Sequence, residues 1–253
     1  MTTQPQASVR DMKRCNWAFL VKGPYSSLEC LPSVSPWWSI AFSTDRSEWE
    51  AFIPDHQHEA DSNRQFDLAM QAITRMNGLA VSSGQPGLIE MTHHVDYDHE
   101  NNRDVAIPLR LVFKVNILGG FGPTEPAAVD FSRILPENLP RLAILLDYWG
   151  QPNAESYEGL YKIMEFIQSV DAKILKSVSE NTLGLLKRTC NNICSGLSAR
   201  HADVRVPPVP KPMPLSKIRE IVRDFTELYI RSITLPEHPS NEPAPKQSDA
   251  LVK

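Results

Sequence analysis

The sequence predicts an α+β protein: an N-terminal antiparallel β-rich domain that packs one helix, followed by a C-terminal all-α helical bundle. Three observations lead to this class. Short apolar runs rich in aromatic residues precede residue 62, two runs of period two occupy residues 89–97 and 105–117, and helical spacing follows residue 137. Period two is typical of strands, and spacing of three to four residues is typical of helices. Strands are therefore expected first and helices afterwards.

The first elements are expected to be three strands. The apolar run at residues 15–22 is stopped by Gly23-Pro24, which predicts a strand and a turn. Two further runs, at residues 36–42 and 46–53, flank the turn-like residues 43–45 and predict a hairpin. Four aromatic side chains are expected to supply much of the core: Trp37, Trp38, Trp49 and Phe52.

A helix and a second hairpin are expected next. From residue 62, apolar side chains recur every three or four positions, and the predicted helix ends at Asn77-Gly78, a common C-terminal signal. The two alternating runs then predict a long hairpin around the polar residues 99–104. Pro108 cannot donate to a neighbouring strand, so its strand should be an edge strand or carry a bulge there.

A cluster of Gly and Pro at residues 119–126 predicts a domain boundary. The first domain is expected to span residues 15–120, and the helical domain residues 137–235. The bundle should contain four helices: at residues 139–149, after an N-cap at Asn153, at residues 181–194, and after an N-cap at Ser216. Residues 236–253 have almost nothing to bury and are predicted to be a disordered tail.

The composition is that of an ordinary globular protein. Apolar residues make up 42% of the chain and charged residues 22%, and the net charge is -4, so the whole chain has no electrostatic attraction to nucleic acid. No apolar run approaches the roughly 20 residues that span a bilayer, and the first residues lack signal-peptide features. We therefore expect a cytoplasmic protein with no membrane partner, in which the four cysteines stay thiols.

Arg200 and His201 are the first candidates for a polar site, because they follow a glycine-containing turn between two predicted helices. A guanidinium group binds phosphate or carboxylate, and an imidazole supplies an acid, a base or a second donor. The structural alternative is that the pair caps helix carbonyls near Cys194 and fixes the proline-rich segment to the bundle. The same segment supplies three further candidates: Arg188, Asn191 and Asn192.

Two groups of metal-ligand residue types are expected to hold no metal. Cys190 and Cys194 share a helix face, but with the distant His201 they fall short of the paired motifs of zinc sites. Period two sends His93 and His94 to opposite faces of a strand, so they can share a site only through a bulge. The remaining members of this second group are His56, His58, His99, Asp96 and Asp98. No phosphate-binding loop or dinucleotide motif occurs, and no cofactor is predicted.

Four segments carry a family resemblance. They are Leu-Tyr-Lys-Ile-Met-Glu at 160–165, Arg-Thr-Cys-Asn-Asn and Ser-Gly-Leu-Ser-Ala-Arg-His-Ala within 188–202, Pro-Met-Pro-Leu at 212–215, and Ala-Ile-Thr-Arg-Met-Asn-Gly-Leu-Ala at 72–80. Together they resemble a widespread group of uncharacterised bacterial proteins whose C-terminal half is distantly similar to HEPN-type helical domains. The resemblance implies a small helical bundle, dimerisation and, in many HEPN proteins, RNA cleavage by an Arg and a His four to six residues apart. Here Arg200 directly precedes His201, and Arg188 has no His at that spacing.

The combined patterns favour a binding or sensing module without catalysis of its own. One alternative is a metal-independent HEPN-like RNase that uses Arg200 and His201, and another is a structural subunit that dimerises through its helical domain. The expected partners are a second copy of the chain and an anionic ligand or RNA. The missing Arg-to-His spacing favours binding over cleavage, and the ligand stays open.

Overall fold

A computed structural model describes residues 16–43, 47–98, 103–108, 129–192 and 209–235 of the chain. Five strands lie in the first three of these ranges: β1 (Trp17–Lys22), β2 (Ser39–Ser43), β3 (Glu48–Phe52), β4 (Glu90–Asp98) and β5 (Arg103–Pro108). They form one antiparallel sheet in the order β2-β3-β1-β4-β5. With the helices below, this sheet confirms the α+β class.

Both predicted hairpins are present. In the first, Ile40 of β2 pairs with Ala51 of β3. In the second, Val95 of β4 pairs with Ala106 of β5, and residues 109–117 of the predicted run lie outside the described residues. Pro108 lies on β5, which is an edge strand of the described sheet, as the missing N–H predicted.

The two faces of the sheet bury different clusters. Phe19 and Val21 of β1 face the main core, which also contains helical residues. Leu20, on the opposite face, belongs to a smaller cluster with Ala18, Phe52, Val95 and their neighbours. Of the four aromatic residues expected in the core, Trp38 is fully buried and Phe52 lies in the smaller cluster. Trp37 and Trp49 are only partly buried.

A β-bulge interrupts the alternation of β4. Leu20 pairs with His93 whereas Val21 pairs with Met91, so Thr92 is the extra residue. Its hydroxyl donates to the carbonyl oxygen of Leu20 at 3.4 Å. Met91 therefore faces the main core while Val95, on the other side of the bulge, faces the smaller cluster. The run at residues 89–97 is a strand, as predicted, but its odd-numbered residues do not all share one face.

The first half contains a short helix α1 (Tyr25–Glu29) and a long helix α2 (Ser62–Ser82). Asp61 caps α2 by accepting a hydrogen bond from the N–H of Asn63 at 2.9 Å. The predicted end at Asn77-Gly78 is wrong, because the helix continues for one more turn. Both residues serve tertiary contacts instead: the Asn77 side chain bonds the backbone of Ile89, and Gly78 packs against a second helix.

The second half contains α3 (Leu139–Trp149), α4 (Tyr157–Val170), α5 (Glu180–Cys190) and α6 (Leu215–Ile233). Two predicted caps are wrong. Helix α4 is capped by Ser156, which accepts from the N–H of Gly159 at 3.0 Å, rather than by Asn153. Helix α6 begins at Leu215 after Pro214, so Ser216 already lies inside its first turn.

Helices α2 and α3 join the sheet to the bundle at very short range. A Cβ added to Gly78 would clash with the carbonyl oxygen of Leu146, and one added to Gly150, just after α3, would clash with that of Thr74. One hydrophobic cluster runs from Trp17 of β1 to Tyr229 of α6. The division into domains 15–120 and 137–235 stays a prediction, and this shared core disfavours separable units.

Short turns occupy the described part of the predicted linker. Residues Phe131–Arg133 and Pro136–Asn138 form single 3-10 turns. Ile134 forms an antiparallel bridge with Thr234, and the N–H of Leu235 donates to the carbonyl oxygen of Arg133 at 2.8 Å. The predicted tail at 236–253 lies outside the described residues. Within the described ranges, none of the helices is long and apolar enough to cross a membrane.

Candidate functional site

The segment that the sequence singled out is described only at its start. Arg200 and His201 lie outside the described residues, so both the anion site and the capping role stay predictions. Arg188 is exposed in the last turn of α5. Asn191 ends the helix, with its N–H donating to the carbonyl oxygen of Lys187 at 3.2 Å, and Asn192 is buried. The buried Oδ1 of the Asn191 side chain has no hydrogen-bond partner among the described residues.

The end of α5 is fastened to the start of α6. Thr189 is fully buried, and its hydroxyl oxygen accepts from the N–H of Met213 at 3.1 Å. Cys190 is also fully buried, and burial raises the pKa of its thiol to about 12. A buried thiol with this pKa is a poor nucleophile and a poor metal ligand. Its suggested partners, Cys194 and His201, lie outside the described residues.

A half-buried cluster of charges links α6 to the turn before α4. The Oε1 oxygen of Glu155 lies 2.8 Å from Nε of Arg219 and 3.0 Å from Nη2 of Arg223. Burial raises the pKa of Glu155, and the two guanidinium groups oppose that rise. Glu227, four residues after Arg223 on α6, bonds Arg231 one turn further along instead. The partner of Arg223 is 68 residues away and has no local signal.

The histidines do not assemble into a metal centre in the described ranges, where no group of three metal-ligand residues occurs. His93 and His94 lie on opposite faces, because the bulge at Thr92 precedes both of them. The ring of His94 packs against Trp17 with centroids 5.8 Å apart, and its Nδ1 lies 3.8 Å from Oδ1 of Asp96. His56 and His58 are exposed, and His99 lies outside the described residues.

A cleft of about 310 Å³ opens beside α2, and we call it the α2 cleft. Its size is near the lower end of the range for small-molecule sites, roughly 300 to 1,000 Å³. One wall is a stripe along α2, and the other comes from the residues around β2 and β3. The lining residues are Pro36, Trp37, Ile53, Asp55, His56, Leu68, Gln71, Ala72 and Arg75.

A stacked guanidinium group forms one part of the α2 cleft. Arg75 lies over the ring of Trp37, 5.2 Å from its centroid. Its Nε and Nη2 donate to the two carboxylate oxygens of Asp147 on α3, at 3.1 and 3.3 Å. The Trp37 ring also packs edge-on against Phe131 at 5.5 Å. These contacts position both side chains. Nη1 of Arg75 and Nε1 of Trp37 have no hydrogen-bond partners among the described residues.

The other part of the α2 cleft is acidic and is fastened to the first turns of α2. Asp55 and His56 belong to the 3-10 turn Pro54–His56, and both are exposed. The carbonyl oxygen of His56 accepts from the N–H of Glu59 at 3.1 Å, and the carbonyl oxygen of Glu59 accepts from Nε2 of Gln65 at 2.6 Å. Asp55 forms no ion pair within the described ranges.

A larger and more apolar cleft of about 540 Å³ adjoins the first one. Residues 32–36 and 129–132 line it, and Pro36 is common to both clefts. Among the described residues, Asp130 is its only charged lining residue. It therefore offers fewer polar groups for orienting a ligand than the α2 cleft does.

Sequence reasoning missed the α2 cleft. Trp37 was expected to be a core residue, and Arg75 was noted only as part of the segment 72–80 that carries the resemblance. The salt bridge to Asp147 crosses 72 residues, so no local pattern announces it. No family model, curated protein or solved structure matches the chain. The resemblance to the bacterial group with HEPN-like helices thus stays a prediction.

Proposed function

We propose that the protein is a binding module without catalysis of its own, and that its ligand occupies the α2 cleft. One observation carries the proposal: a guanidinium group, an indole ring, a carboxylate and an imidazole line one small cavity with an apolar floor. Binding sites for small molecules combine an apolar surface with a few polar groups in this way. The predicted cytoplasmic location belongs to the same proposal.

The rigidity of the surrounding elements supports binding. Arg75 is held by Asp147 and by the Trp37 ring, and α2 is held against α3 by the contacts of Gly78 and Gly150. Side chains that are fixed before a ligand arrives lose little conformational entropy when it binds. The α2 cleft is therefore preorganised in the part of the molecule where the two halves meet.

The indole N–H resonance of Trp37 provides the test. We expect small ligands that enter the α2 cleft to shift this resonance, because Trp37 belongs to the lining. The matched internal control is Trp149, which is fully buried and donates to the Thr226 hydroxyl at 3.0 Å, so its resonance should stay unchanged. The proposal fails if anionic, cationic, zwitterionic and neutral compounds all leave Trp37 unchanged.

The HEPN-like RNase remains a second candidate because of the Glu155 cluster. Arg219, Arg223 and Glu155 together carry a net charge of +1, and the two arginines lie on α6, the helix that follows the segment containing Arg200 and His201. RNA cleavage by the parent protein, abolished in His201→Ala without loss of thermal stability, would support it. An inactive parent protein would exclude it.

A dimerising subunit is the third candidate, and one exposed apolar pair favours it. Ile144 and Tyr148 lie one turn apart on α3 with exposed fractions of 46% and 38%. Sedimentation at micromolar concentration tests association, and Ile144→Glu should then shift the protein to a monomer. A monomeric parent protein would contradict this candidate.

A further inference from the structure

The two parts of the α2 cleft offer opposite hydrogen-bonding groups. In the part lined by Trp37 and Arg75, the side-chain groups without a hydrogen-bond partner among the described residues are donors, Nη1 of Arg75 and Nε1 of Trp37. Beside Asp55 the main group is an acceptor, the carboxylate. Charged groups form the strongest hydrogen bonds with partners of opposite charge. A carboxylate therefore suits the first part and an ammonium suits the second.

The length of the cleft floor follows from α2. Leu68 and Arg75 are seven residues apart on this helix, which corresponds to about 10 Å along its axis. The turn with Asp55 is fastened to the first turns of α2 through Glu59 and Gln65. Between the two ends, Leu68 and Ala72 are buried on the floor of the cleft, and Gln71 is exposed beside them. A ligand that reaches both ends needs a short apolar middle.

We propose that the ligand of the α2 cleft is a short zwitterion with separated charges, such as an ω-amino acid or a dipeptide. Its carboxylate accepts from Arg75 and Trp37, its ammonium binds Asp55, and its aliphatic part lies over Leu68 and Ala72. This inference rests on the proposed function and specifies the ligand class for that same cleft.

The charge balance disfavours a simple anion, and the two donors distinguish a zwitterion from a simple cation. Asp147 already neutralises Arg75. Arg75, Asp147 and Asp55 together therefore carry a net charge of -1 when His56 is neutral. A simple anion could accept hydrogen bonds from Arg75 and Trp37, but the net negative charge of the site would repel it. A simple cation would bind Asp55 but would leave both donors unused. Only a ligand with both groups satisfies both parts.

Three probes of similar length separate these cases: δ-aminovalerate, valerate and pentylamine. We expect δ-aminovalerate to shift the Trp37 indole resonance with millimolar affinity, about tenfold more tightly than either counterpart. Asp55→Asn should lower the affinity for δ-aminovalerate to that for valerate. Asp67→Asn, an exposed carboxylate on α2 outside the cleft, is the matched control and should leave the affinity unchanged.

The donor part is tested by variants that do not all disturb the fold. Arg75→Gln should lower the affinity for δ-aminovalerate to that for pentylamine, but it also removes the salt bridge to Asp147. Trp37→Phe keeps an aromatic ring beside Phe131 and removes only the Nε1 donor. This substitution should weaken the binding of δ-aminovalerate and valerate but not that of pentylamine, as measured by ligand-observed NMR.

The outcomes separate this inference from the proposed function. If pentylamine or valerate binds as tightly as δ-aminovalerate, the zwitterion is wrong while the α2 cleft remains a binding site. If Asp67→Asn weakens binding as much as Asp55→Asn, the ammonium contact is wrong. If none of the three probes moves the Trp37 resonance, this inference fails, and ligand binding in the cleft fails as well only when neutral compounds also leave the resonance unchanged.

Discussion

The side chain of Asn77 on α2 forms hydrogen bonds with the backbone of Ile89, just before β4, as a neighbouring strand would. Its Nδ2 donates to the carbonyl oxygen of Ile89 at 2.8 Å, and its Oδ1 accepts from the N–H of Ile89 at 2.8 Å. The side chain thereby satisfies both backbone groups of a residue that is 2% exposed. This contact fastens α2 to the start of β4.

Replacing Asn77 by Ala should be strongly destabilising. Both backbone groups of Ile89 would lose their partners in a buried position, which should lower the free energy of unfolding by on the order of 2 to 4 kcal/mol. Urea denaturation measures the change. Asn63→Ala, on the exposed first turn of α2, is the control and should cost less than about 0.5 kcal/mol. Equal effects of the two substitutions would contradict the role of Asn77.

Because Cys30 and Cys190 are buried as thiols, we expect the protein to lose stability at alkaline pH. Burial raises the thiol pKa of Cys190 from 9.0 to about 12 and that of Cys30 from 9.0 to about 11. Below pH 9 both thiols are neutral in the folded and unfolded chains, so they add no pH dependence. Above that pH the unfolded chain releases protons that the folded chain retains, and each thiol lowers stability by at most about 1.4 kcal/mol per pH unit.

Cys190→Ala tests this alkaline loss. We expect the variant to lose less stability than the parent protein between pH 9 and pH 11 in parallel urea titrations, because one proton-releasing group is gone from the unfolded chain. Cys30→Ala should act in the same direction. Identical pH dependence in the parent protein and Cys190→Ala would show that the thiol is not shielded.

At the scale of elements, the contact between α2 and α3 depends on two glycines. A Cβ at Gly78 or Gly150 would meet a backbone carbonyl oxygen of the opposite helix, which cannot move aside as a side chain can. Gly78→Ala and Gly150→Ala should each lower the free energy of unfolding by about 1 to 3 kcal/mol, since the helices must separate. Thermal denaturation measures both.

Gly184 is the matched control for these substitutions. It lies inside α5, and a Cβ added there would meet no atom within 4 Å. Gly184→Ala should therefore raise stability by up to about 1 kcal/mol, because alanine favours the helix. Equal destabilisation by all three substitutions would mean that close helix packing does not decide the effect.

Local periodicity was sufficient to predict most elements. The strands at residues 17–22 and 48–52, both hairpins and the edge position of Pro108 follow from alternation and turn residues. The end of α2 was misplaced because Asn77 and Gly78 resemble a helix stop but serve distant partners. The bulge at Thr92 was also missed, since the alternation of apolar and polar residues continues across it.

The α2 cleft was beyond sequence reasoning for a similar reason. Its guanidinium group is positioned by Asp147, and its indole ring by Phe131, 94 residues along the chain from Trp37. A pattern within one helix or one strand carries no information about such pairs. The segment with Arg200 and His201 attracted attention because its polar residues are adjacent in sequence, which is a local property.

At the scale of the molecule, one core should produce one unfolding transition. The main cluster includes Trp17 and Trp38 from the first half and Trp149 from the second. We expect the tryptophan fluorescence and far-UV circular dichroism transitions in urea to coincide, because neither half can lose its packing without exposing the other. Two separate midpoints would instead support the predicted division at residues 120–137.

The sheet has two ends at which a further strand could in principle be added. On β2, the N–H of Ile40 already donates to the carbonyl oxygen of Ser33 at 2.8 Å, so the preceding loop occupies part of that edge. On β5, Pro108 removes one donor from the described part of the other edge. Both ends are thus poor templates for recruiting an extended chain from another molecule. These features of the two edge strands should therefore protect the protein from amyloid-like aggregation at high concentration.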